Sequence, residues 1–554
     1  MTDTFSFKDR TLALNDFSSR EFDLVIIGGG INGAGAARDA VLRGMKVALI
    51  EASDFASGTS SRSSKLVHGG IRYLENLEFH LVFEALNERT RLFQMAPHLV
   101  HPLRFMMPLY QGGRVGMFKM GLGMWLYDAL SLFEAPEMHE RLNAKQCFER
   151  QPLLQQKELL GSYVYSDAYM DDDRLVFETL RSARGPLFAC ANYVRAIGAE
   201  FSTAVATKNQ VAPQVVGVKC RDEKTGKTFS IRGRHVLSTV GPWTDELGEQ
   251  LFKKWNKVLR PTKGVHLTFE KKRFPLSSAV VMGAESRVVF GIPRHEMVIV
   301  GTTDTDFQGD PAKVSTTTDD VKYLLSVVDK YFPGAKLTDQ DIVATYAGVR
   351  PLVKDASESE GKTSREHTIW TNEDRVTFVA GGKYTTYRLI SEQAVDHCLK
   401  HFSIEDRVQY RAGPSASALN PLVTLDSIEQ NPDRKVKIRQ KTQLSDEEAT
   451  WLVDRHGGEA DVILERYGFD LTYWEYEALH AIDQTMCLHL VDFFTRRVPL
   501  VLSRADHGAS LIEVLLPLFS TRLAWSSETA QKEVQALEAY VEHEFAWRKS
   551  FDSR

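Results

Sequence analysis

The chain has 554 residues, of which 43% are hydrophobic and 25% are charged, and its formal net charge is −5. This is the composition of a globular protein, and it excludes a chain that is disordered, collagen-like or coiled coil throughout. The slightly acidic balance excludes a generally basic nucleic-acid coat, so we expect no nucleic-acid partner. At roughly 100–200 residues per domain, the length indicates about three or four domain-sized units.

The first twenty residues are polar and lack the regions of a signal peptide, so we interpret residues 1–20 as a leader and expect structure to begin at Phe22. The five cysteines include no C-x-x-C pair and are odd in number. That pattern disfavours a disulfide scaffold or a cysteine-rich metal site, and it favours a reducing cytosol. We predict no metal site, and no uninterrupted run of about 18 apolar residues indicates a transmembrane helix.

A strand, a helix and a second strand open the predicted fold. Phe22–Ile27 is a short apolar run of the kind found in buried parallel strands. A helical pattern follows from about Asn32 to Arg43, and Val47–Ile50 is the second strand. The sequence therefore predicts a βαβ unit at the start of an α/β domain.

The turn between the first strand and the helix carries a dinucleotide-binding pattern. Gly28, Gly30 and Gly33 satisfy G-x-G-x-x-G, and they allow a tight turn, a close approach to a pyrophosphate and close helix packing. Glu51 ends the second strand, where an acid can bind a ribose hydroxyl. The pattern alone serves FAD and NAD equally.

The segment after the second strand bears on that choice. Residues 57–65 read SGTSSRSSK, and their small hydroxyls are suited to line a pyrophosphate and a ribityl chain, which favours FAD. A flexible polar loop with no ligand is the alternative interpretation.

Two later segments look like further strands of the first sheet. They are His235–Val240, closed by Gly241, and Val376–Ala380, closed by Gly381 and Gly382. We therefore predict a discontinuous first domain with an inserted β-rich domain. The first comprises about 21–110, 185–245 and 345–400, and the inserted domain comprises about 111–184 and 246–344.

The last part of the chain has a different character. Helical stretches lie near residues 445–466, 473–493 and 527–547, and strand patterns are few. We interpret residues 401–554 as a separate helical cap domain.

Residues 115–133 form an unusually apolar segment, interrupted by Lys119 and Asp128. One interpretation is a buried helix of the inserted domain. The other is an interfacial helix in one membrane leaflet, with Trp125 and Tyr127 at the level of the lipid headgroups and Arg114 and Lys119 near the lipid phosphates.

Several long motifs in order resemble the FAD-dependent glycerol-3-phosphate dehydrogenases. They are IGGGINGAGAARDAVLRG (27–44), GTSSRSSKLVHGGIRYL (58–74), STVGPW (238–243), KGVHL (263–267), GTTDT (301–305), AGVRPL (347–352) and GGKYTTYR (381–388). The resemblance covers roughly residues 20–400, and the helical tail more loosely. No calcium-loop pattern lies near the C-terminus, so the resemblance is to the bacterial type.

The resemblance implies a fold like that of the D-amino-acid oxidases, with a Rossmann-like FAD-binding domain. The implied reaction oxidises sn-glycerol 3-phosphate to dihydroxyacetone phosphate, with hydride passing to flavin N5 and electrons passing to a membrane quinone. It also implies a cytoplasmic enzyme held peripherally on the inner face of the membrane. A homodimer is one assembly that we consider.

The resemblance also suggests the catalytic groups. Arg350 is assigned to the C2 oxygen of the substrate, because guanidinium is a permanent, planar donor. His266 is the expected general base, with His68 or a bound water as rivals. Lys383 is expected to add a cation near the substrate or flavin, before a helix from about Thr385 to His401 that Thr385 or Thr386 caps.

The remaining expected contacts fall into two groups. The substrate is assigned to Arg72, Tyr73, Thr303 and Arg365, with Arg365 on its phosphate and Thr303 and Tyr73 as neutral hydroxyl donors to that phosphate. The cofactor is assigned to Gly28, Gly30, Asn32, Gly33, Glu51, Thr59, Ser60, Ser61, Ser64, Lys65, Gly241, Gly382, Thr385 and Thr386.

Two other functions remain open at this point. An oxidase of the same fold would pass electrons to oxygen, and a substrate without phosphate would have little use for Arg365. A dinucleotide-binding sensor or scaffold without catalysis would not need Arg350, His266 and Lys383 together.

Overall fold

The computed structural model describes residues 4–202, 205–206, 211–284, 287–354, 367–411, 416–422 and 432–551. In chain order its strands are β1 (Phe22–Ile27), β2 (Val47–Ile50), β3 (Leu66–Val67), β4 (Val100–Tyr110), β5 (Glu140–Asn143), β6 (Leu159–Met170), β7 (Phe188–Ala191), β8 (Val194–Phe201), β9 (Val205–Ala206), β10 (Val211–Ala212), β11 (Val215–Asp222), β12 (Thr228–Ser238), β13 (Thr262–Glu270), β14 (Ala279–Ala284), β15 (Arg287–Arg294), β16 (Met297–Gly301), β17 (Thr305–Asp306), β18 (Ile342–Arg350), β19 (His367–Thr371) and β20 (Val376–Gly381).

The helices are α1 (Phe7–Ser19), α2 (Ile31–Leu42), α3 (Phe79–Met95), α4 (Met117–Leu130), α5 (Ala144–Arg150), α6 (Asp172–Ser182), α7 (Thr244–Leu251), α8 (Thr318–Tyr331), α9 (Tyr387–Leu399), α10 (Ile404–Gln409), α11 (Ala416–Leu419), α12 (Arg434–Lys441), α13 (Asp446–His456), α14 (Glu459–Tyr467), α15 (Tyr473–Gln484), α16 (Leu490–Asp492), α17 (Leu500–Ser503), α18 (Ile512–Leu523), α19 (Ser527–Glu544) and α20 (Ala546–Phe551). Short 3₁₀ turns that matter below are Thr59–Ser61, Ile71–Asn76, Gly241–Trp243 and Tyr384–Thr386.

The first sheet has the order β19-β20-β12-β1-β2-β7, and β11 and β8 extend it beyond β12. The pairs from β20 through β12, β1 and β2 to β7 are parallel. Every residue of β1 is buried, with Leu24 and Ile26 in one core and Val25 and Ile27 in the core on the other face. The apolar run Leu24–Ile27 is needed because both faces of this sheet are covered. The predicted return of two later strands to the first sheet is confirmed.

The second sheet has ten strands in the order β17-β13-β16-β15-β14-β4-β6-β3, with β18 also paired to β13 and β5 to β6. Its pairs are antiparallel except β14 with β4. This is the inserted β-rich part, and together with the helical C-terminal part it confirms the predicted fold class. The sheet includes β4 and all of β18, whereas the predicted boundaries at 110 and 345 assign most of these strands to the first domain. The domain boundaries therefore remain a prediction.

The N-terminal segment differs from the prediction. Phe7–Ser19 is a helix that begins with a capping box between Ser6 and Asp9, and it buries Ala13 and Phe17. The expectation that structure begins at Phe22 is wrong. The capping box and two apolar positions one turn apart were signals for a helix in an otherwise polar stretch.

The helical C-terminal part is joined to the first domain by buried ion pairs. Asp54, just after β2, pairs with Arg496 (Nε–Oδ2, 2.8 Å) and Arg497 (Nη1–Oδ2, 2.7 Å). Burial alone would raise the pKa of Asp54, but the two guanidiniums outweigh burial and lower that pKa to about 2. Removing one partner of such a pair leaves a buried charge without compensation, so these contacts fix the C-terminal part in place.

Helix α4 lies where the apolar segment 115–133 was predicted. Phe118, Leu122 and Trp125 point outward, with 82%, 58% and 59% of their surface exposed. Tyr127, which we expected at the level of the lipid headgroups, is buried and donates a hydrogen bond to Asp167 (2.8 Å), so that expectation is wrong. Tyr127 lies two residues after the outward Trp125, which places it on the opposite, inward face of the helix. Among the described residues, no helix has both the length and the apolarity to cross a bilayer.

Candidate active site

The loop from β1 to α2 has room only for glycine. Gly28 has a φ of +108°, and a Cβ there would lie 2.8 Å from the Thr239 carbonyl oxygen. A Cβ on Gly33 would overlap the Gly28 carbonyl oxygen and lie 2.7 Å from Thr239 Oγ1. Since helix α2 begins at Ile31, the N–H groups of its first turn face this loop, as a pyrophosphate requires. The loop therefore has the geometry of the dinucleotide fingerprint.

Glu51 lies beside the same loop. Its carboxylate accepts hydrogen bonds from Gly29 N and Ser53 N, both at 2.8 Å. Burial raises the pKa of Glu51 despite these two bonds. The acid is thus held at the end of β2, where a ribose hydroxyl is expected.

The loop 59–65 runs between α2 and the second sheet. Ser60 Oγ accepts from Ile31 N at the start of α2 (3.0 Å), and Thr59 Oγ1 donates to Val349 O at the end of β18 (2.6 Å). Lys65 forms a buried ion pair with Asp172 and donates to Ser61 O at 3.3 Å. The ammonium of Lys65 therefore already has a carboxylate partner, and its expected contact with the cofactor remains a prediction.

Three glycines in two turns complete this edge of the first sheet. Gly241 starts the 3₁₀ turn after β12 with a φ of +55°, Gly381 ends β20 with a φ of +76°, and Gly382 follows with a φ of +89°. Thr386 occupies the N-cap position of α9, but its hydroxyl donates to Lys383 O (3.3 Å) and does not accept from the helix. The expected threonine cap is wrong for Thr386. Thr385 instead binds the backbone of His68, accepting from its N–H at 3.2 Å.

Three strands of the second sheet bring His266 into the site. In β13, His266 is directly opposite Gly301 of β16 and Tyr346 of β18. Its ring stacks on Tyr346 with centroids 4.6 Å apart and planes at 10°, and its Nε2 is 2.8 Å from Ser64 Oγ. Gly301 is needed beside it, because a Cβ there would collide with the imidazole. His266 is thus fixed between the second sheet and the loop 59–65.

The charge state of His266 follows from its surroundings. The side chain is buried, and Arg350 and Lys65 add positive charge nearby. Burial first, and the two cations second, hold the pKa of His266 well below its ordinary value of 6.5. His266 is therefore neutral at physiological pH and able to accept a proton.

Arg350 lies at the end of β18 with its guanidinium oriented by β16 and the residues after it. It donates to Asp304 Oδ1 (3.1 Å), Thr302 Oγ1 (2.9 Å) and Thr303 O (3.2 Å). Thr303 is buried, and its Oγ1 accepts from Val265 N at 3.0 Å. The predicted pair Arg350 and Thr303 is brought together, although the expected contact of Thr303 with a phosphate remains a prediction.

Lys383 contacts Tyr73, and His68 contacts Phe290. The ammonium of Lys383 lies 3.7 Å from the centroid of the Tyr73 ring. The His68 ring contacts Phe290 edge-on at 6.3 Å, and Phe290 pairs with Gly301, which is opposite His266. The contact with Phe290 connects the rival base His68, through β15 and β16, to the strand that holds His266.

Two predicted residues cannot be placed in this site. Arg365 lies outside the residues that the structure describes, and only the backbone of Arg72, in the turn Ile71–Asn76, is described.

Sequence reasoning did not single out four side chains that hold the site together. They are Arg62, Asp172, Asp304 and Tyr346. Asp172 begins α6 and receives Lys65 and the Ser63 hydroxyl (2.7 Å). The run MDDDR at 170–174 and the motifs GTTDT and AGVRPL contain or adjoin these residues, but nothing in one sequence says which partner each will meet.

One further cluster has the residue types of a metal site. His456, Glu459 and His480 are buried, and their ligand atoms lie within 4.8 Å of one another. Among the described residues, this is the group of potential metal ligands found so close together. However, Arg174 donates to His456 Nδ1 (2.8 Å) and Arg181 pairs with Glu459. Two guanidiniums repel a cation and already use these ligand atoms, so the cluster is an ion-pair network.

Comparison with known proteins identifies the family. Residues 23–388 match the family described as FAD dependent oxidoreductase, and residues 425–530 match the C-terminal domain of alpha-glycerophosphate oxidase. The chain is 32% identical over 539 residues to the aerobic glycerol-3-phosphate dehydrogenase of Staphylococcus saprophyticus, covering 94% of this chain and 95% of that protein. A relative of the same description from Staphylococcus aureus strain USA300 is 39% identical over 378 residues, which are 68% of this chain and 66% of that one. The chain belongs to the FAD-dependent oxidoreductases, among the aerobic glycerol-3-phosphate dehydrogenases.

Solved structures agree with this family. The glycerol-3-phosphate dehydrogenase of Bacillus halodurans complexed with FAD has a TM-score of 0.77 and 27% identity, covering 97% of this chain and 98% of that one. The L-alpha-glycerophosphate oxidase of Mycoplasma pneumoniae shares the fold, with a TM-score of 0.51 and 17% identity over 69% of this chain and 95% of that one.

FAD is the cofactor of this family, which confirms the prediction. The residues present fit it, because the loop at Gly28 and Gly33 leaves no space for a side chain and Glu51 is held at the end of β2.

Proposed function

We propose that the chain oxidises sn-glycerol 3-phosphate to dihydroxyacetone phosphate and passes the electrons to a membrane quinone. The observation that carries the proposal is the convergence of a neutral, buried His266 and the oriented Arg350 beside the loop 59–65. The name of the relative that matches along 94% of the chain supports the same substrate. We also propose that the cofactor domain comprises about 21–110, 185–245 and 345–400, and the substrate domain about 111–184 and 246–344.

The oxidation removes a proton from the C2 hydroxyl and a hydride from C2. Bound FAD supplies a two-electron acceptor at N5 for the hydride. His266 receives the proton, since its ring is neutral and Ser64 holds its Nε2 in place. Arg350 stabilises the negative charge that develops on the C2 oxygen, because Asp304 and Thr302 hold its guanidinium in a fixed plane.

The substrate phosphate requires cations that bind it. Lys383 above Tyr73 is the described candidate, and from the sequence we assign Arg365 to the same phosphate and Arg72 to the substrate. His68 is the alternative base, and its ring contacts Phe290.

The membrane contact is assigned to the outward face of α4. Its exposed side chains Phe118, Leu122 and Trp125 form an apolar surface of the kind that enters one leaflet, and the exposed Arg114 and Lys119 lie beside it. Such an enzyme reaches a lipid-soluble quinone from the cytoplasmic face.

A second candidate is an oxidase that passes the electrons to oxygen. The observation in its favour is the match of residues 425–530 to a domain named for alpha-glycerophosphate oxidase. Reduction of the bound flavin by sn-glycerol 3-phosphate without oxygen tests the substrate. Readmission of oxygen then separates the two acceptors, since slow reoxidation indicates the dehydrogenase and fast reoxidation the oxidase.

A further inference from the structure

The guanidinium of Arg62 connects three separate parts of the chain. Arg62 follows the 3₁₀ turn Thr59–Ser61 and is largely buried, with 19% of its side chain exposed. Its Nη1 donates to Ala347 O of β18 (2.8 Å) and to Glu544 Oε1 at the end of α19 (3.0 Å). The catalytic roles assigned above do not use this arginine or its carboxylate partner.

The loop that contains Arg62 is hydrogen-bonded to the C-terminal half of β18. Tyr346 OH donates to Ser63 O (2.9 Å), Arg62 to Ala347 O, and Thr59 to Val349 O (2.6 Å). Between these bonds, a Cβ on Gly348 would lie 2.8 Å from Arg62 O. Four consecutive residues of the strand therefore contact the loop, with no space for an extra atom.

The last helices hold the same strand from the C-terminal part. Thr345 Oγ1 donates to Glu544 O (2.8 Å) and accepts from Trp547 Nε1 (3.2 Å). The Glu544 side chain is 1% exposed and pairs with Arg62. Strand β18 then leads from this contact to Tyr346, which stacks on His266, and ends at Arg350.

We propose that Arg62 and Glu544 are positioning residues, through which the C-terminal helix α19 holds the loop 59–65 against the strand that carries the substrate-binding groups. One contact then sets both the affinity for FAD and the KM for substrate. This inference rests on the proposed function in one respect, the assignment of the loop 59–65 to the flavin and of β18 to the substrate. By this proposal, the helical C-terminal part helps to position the site, although it lies far from the site residues in sequence.

The first test is Glu544→Gln, which keeps the shape of the side chain and removes its charge. Arg62 is then left as a buried cation without a carboxylate. We expect the Kd for FAD, measured by flavin fluorescence during apoprotein titration, to rise about tenfold or more. We also expect KM for sn-glycerol 3-phosphate to rise with a smaller change in kcat, because the variant displaces the binding groups without removing one.

The matched control is Glu542→Gln, two residues earlier in the same helix. Glu542 pairs with Lys549, and both side chains are about 70% exposed, at 69% and 73%. An exposed pair contributes little, so FAD affinity and KM should stay at the wild-type values.

A double variant separates positioning from stability alone. Arg62→Met with Glu544→Met replaces the ion pair by apolar side chains, an exchange that is often neutral for stability. Since it also removes the donor to Ala347, the proposal requires weak FAD binding and a raised KM even when the melting temperature is restored. Recovery of FAD affinity together with the melting temperature would overturn the proposal.

The proposed function and this inference fail in different ways. If wild-type flavin is not reduced by sn-glycerol 3-phosphate, the substrate is wrong, but the FAD titration of Glu544→Gln still reports on the loop. If Glu544→Gln binds FAD as tightly as Glu542→Gln does, the positioning role is wrong whatever the substrate.

Discussion

Gly33 lies where the dinucleotide loop and helix α2 are closest. A Cβ at this position would overlap the Gly28 carbonyl oxygen and come within 2.7 Å of Thr239 Oγ1. Both neighbours are held by the sheet, so neither can move without a cost in packing. We expect Gly33→Ala to purify with less than about a tenth of the wild-type FAD content, because the loop must open to admit a methyl group.

Gly123→Ala is the control for that substitution. Gly123 lies in α4, where an added Cβ would meet no atom within 4 Å, and alanine favours a helix over glycine by roughly 0.5–1 kcal/mol. Its FAD content, read from the ratio of visible to ultraviolet absorbance, should equal that of the wild type. Equal FAD content in Gly33→Ala would show that the loop does not bind the cofactor as assigned.

His266 allows a direct test of the proposed base. His266→Ala should lower the limiting rate of flavin reduction by about 10²–10⁴-fold, which is the usual contribution of a general base. Because the imidazole contacts Ser64 of the cofactor loop, FAD content is measured in parallel and the rate is expressed per bound FAD. In stopped-flow traces, a rate near that of the wild type would exclude His266, and a loss in His68→Ala instead would favour the rival.

The pH profile of the wild type follows from the same residue. Burial, Arg350 and Lys65 lower the pKa of His266, so the imidazole remains neutral when pH falls through 6.5. At saturating substrate, the rate of flavin reduction should therefore stay level from about pH 8 to pH 6. A fall in rate with an apparent pKa near 6.5 would mean that another group is the base.

The site residues show what one sequence can predict. Gly28, Gly33 and Glu51 were predicted because spacing alone defines their geometry. Tyr346 and Asp172 were missed because their importance comes from partners, His266 and Lys65, that lie 80 and 107 positions away in sequence.

Helix α4 shows the same limit at the scale of an element. The sequence predicted an apolar segment at 115–133, and the helix spans Met117–Leu130. One face of the helix is buried, with Met124 and Tyr127, and the other is exposed, with Phe118 and Trp125, so the interfacial interpretation remains a prediction. A helix that is apolar all round carries no periodic signal of which face is covered, so only the fold could decide.

The exposed face of α4 leads to a binding prediction. Phe118→Glu with Leu122→Glu should weaken binding to vesicles of phosphatidylethanolamine and phosphatidylglycerol by about 2 kcal/mol, or roughly thirtyfold, because two apolar side chains no longer enter the lipid. Co-sedimentation with the vesicles measures the bound fraction.

Helix α10 provides the control surface. Ile404 and Val408 are exposed to 77% and 72% and lie one turn apart, as Phe118 and Leu122 do. Ile404→Glu with Val408→Glu should leave vesicle binding unchanged. Equal losses in both double variants would mean that membrane binding does not depend on α4.

At the scale of the whole molecule, the sequence predicted the order of the domains better than it predicted the contacts between them. Parallel strands separated by long insertions are visible as apolar runs closed by glycine, as at Val376–Gly381. The C-terminal helices were predicted as a separate cap, yet Glu544, Arg496 and Arg497 reach into the first two-thirds of the chain. Ion pairs between distant segments have no local pattern, and this is why a role for the cap in the site could not be read from the sequence.

The most direct test of the account is an anaerobic titration of the purified protein with sn-glycerol 3-phosphate, followed by visible absorbance. The account predicts that the oxidised flavin band bleaches as substrate is added and that glycerol, which lacks the phosphate, leaves the band unchanged. A flavin band that persists at saturating sn-glycerol 3-phosphate would leave the fold and the cofactor intact and would contradict the proposed substrate.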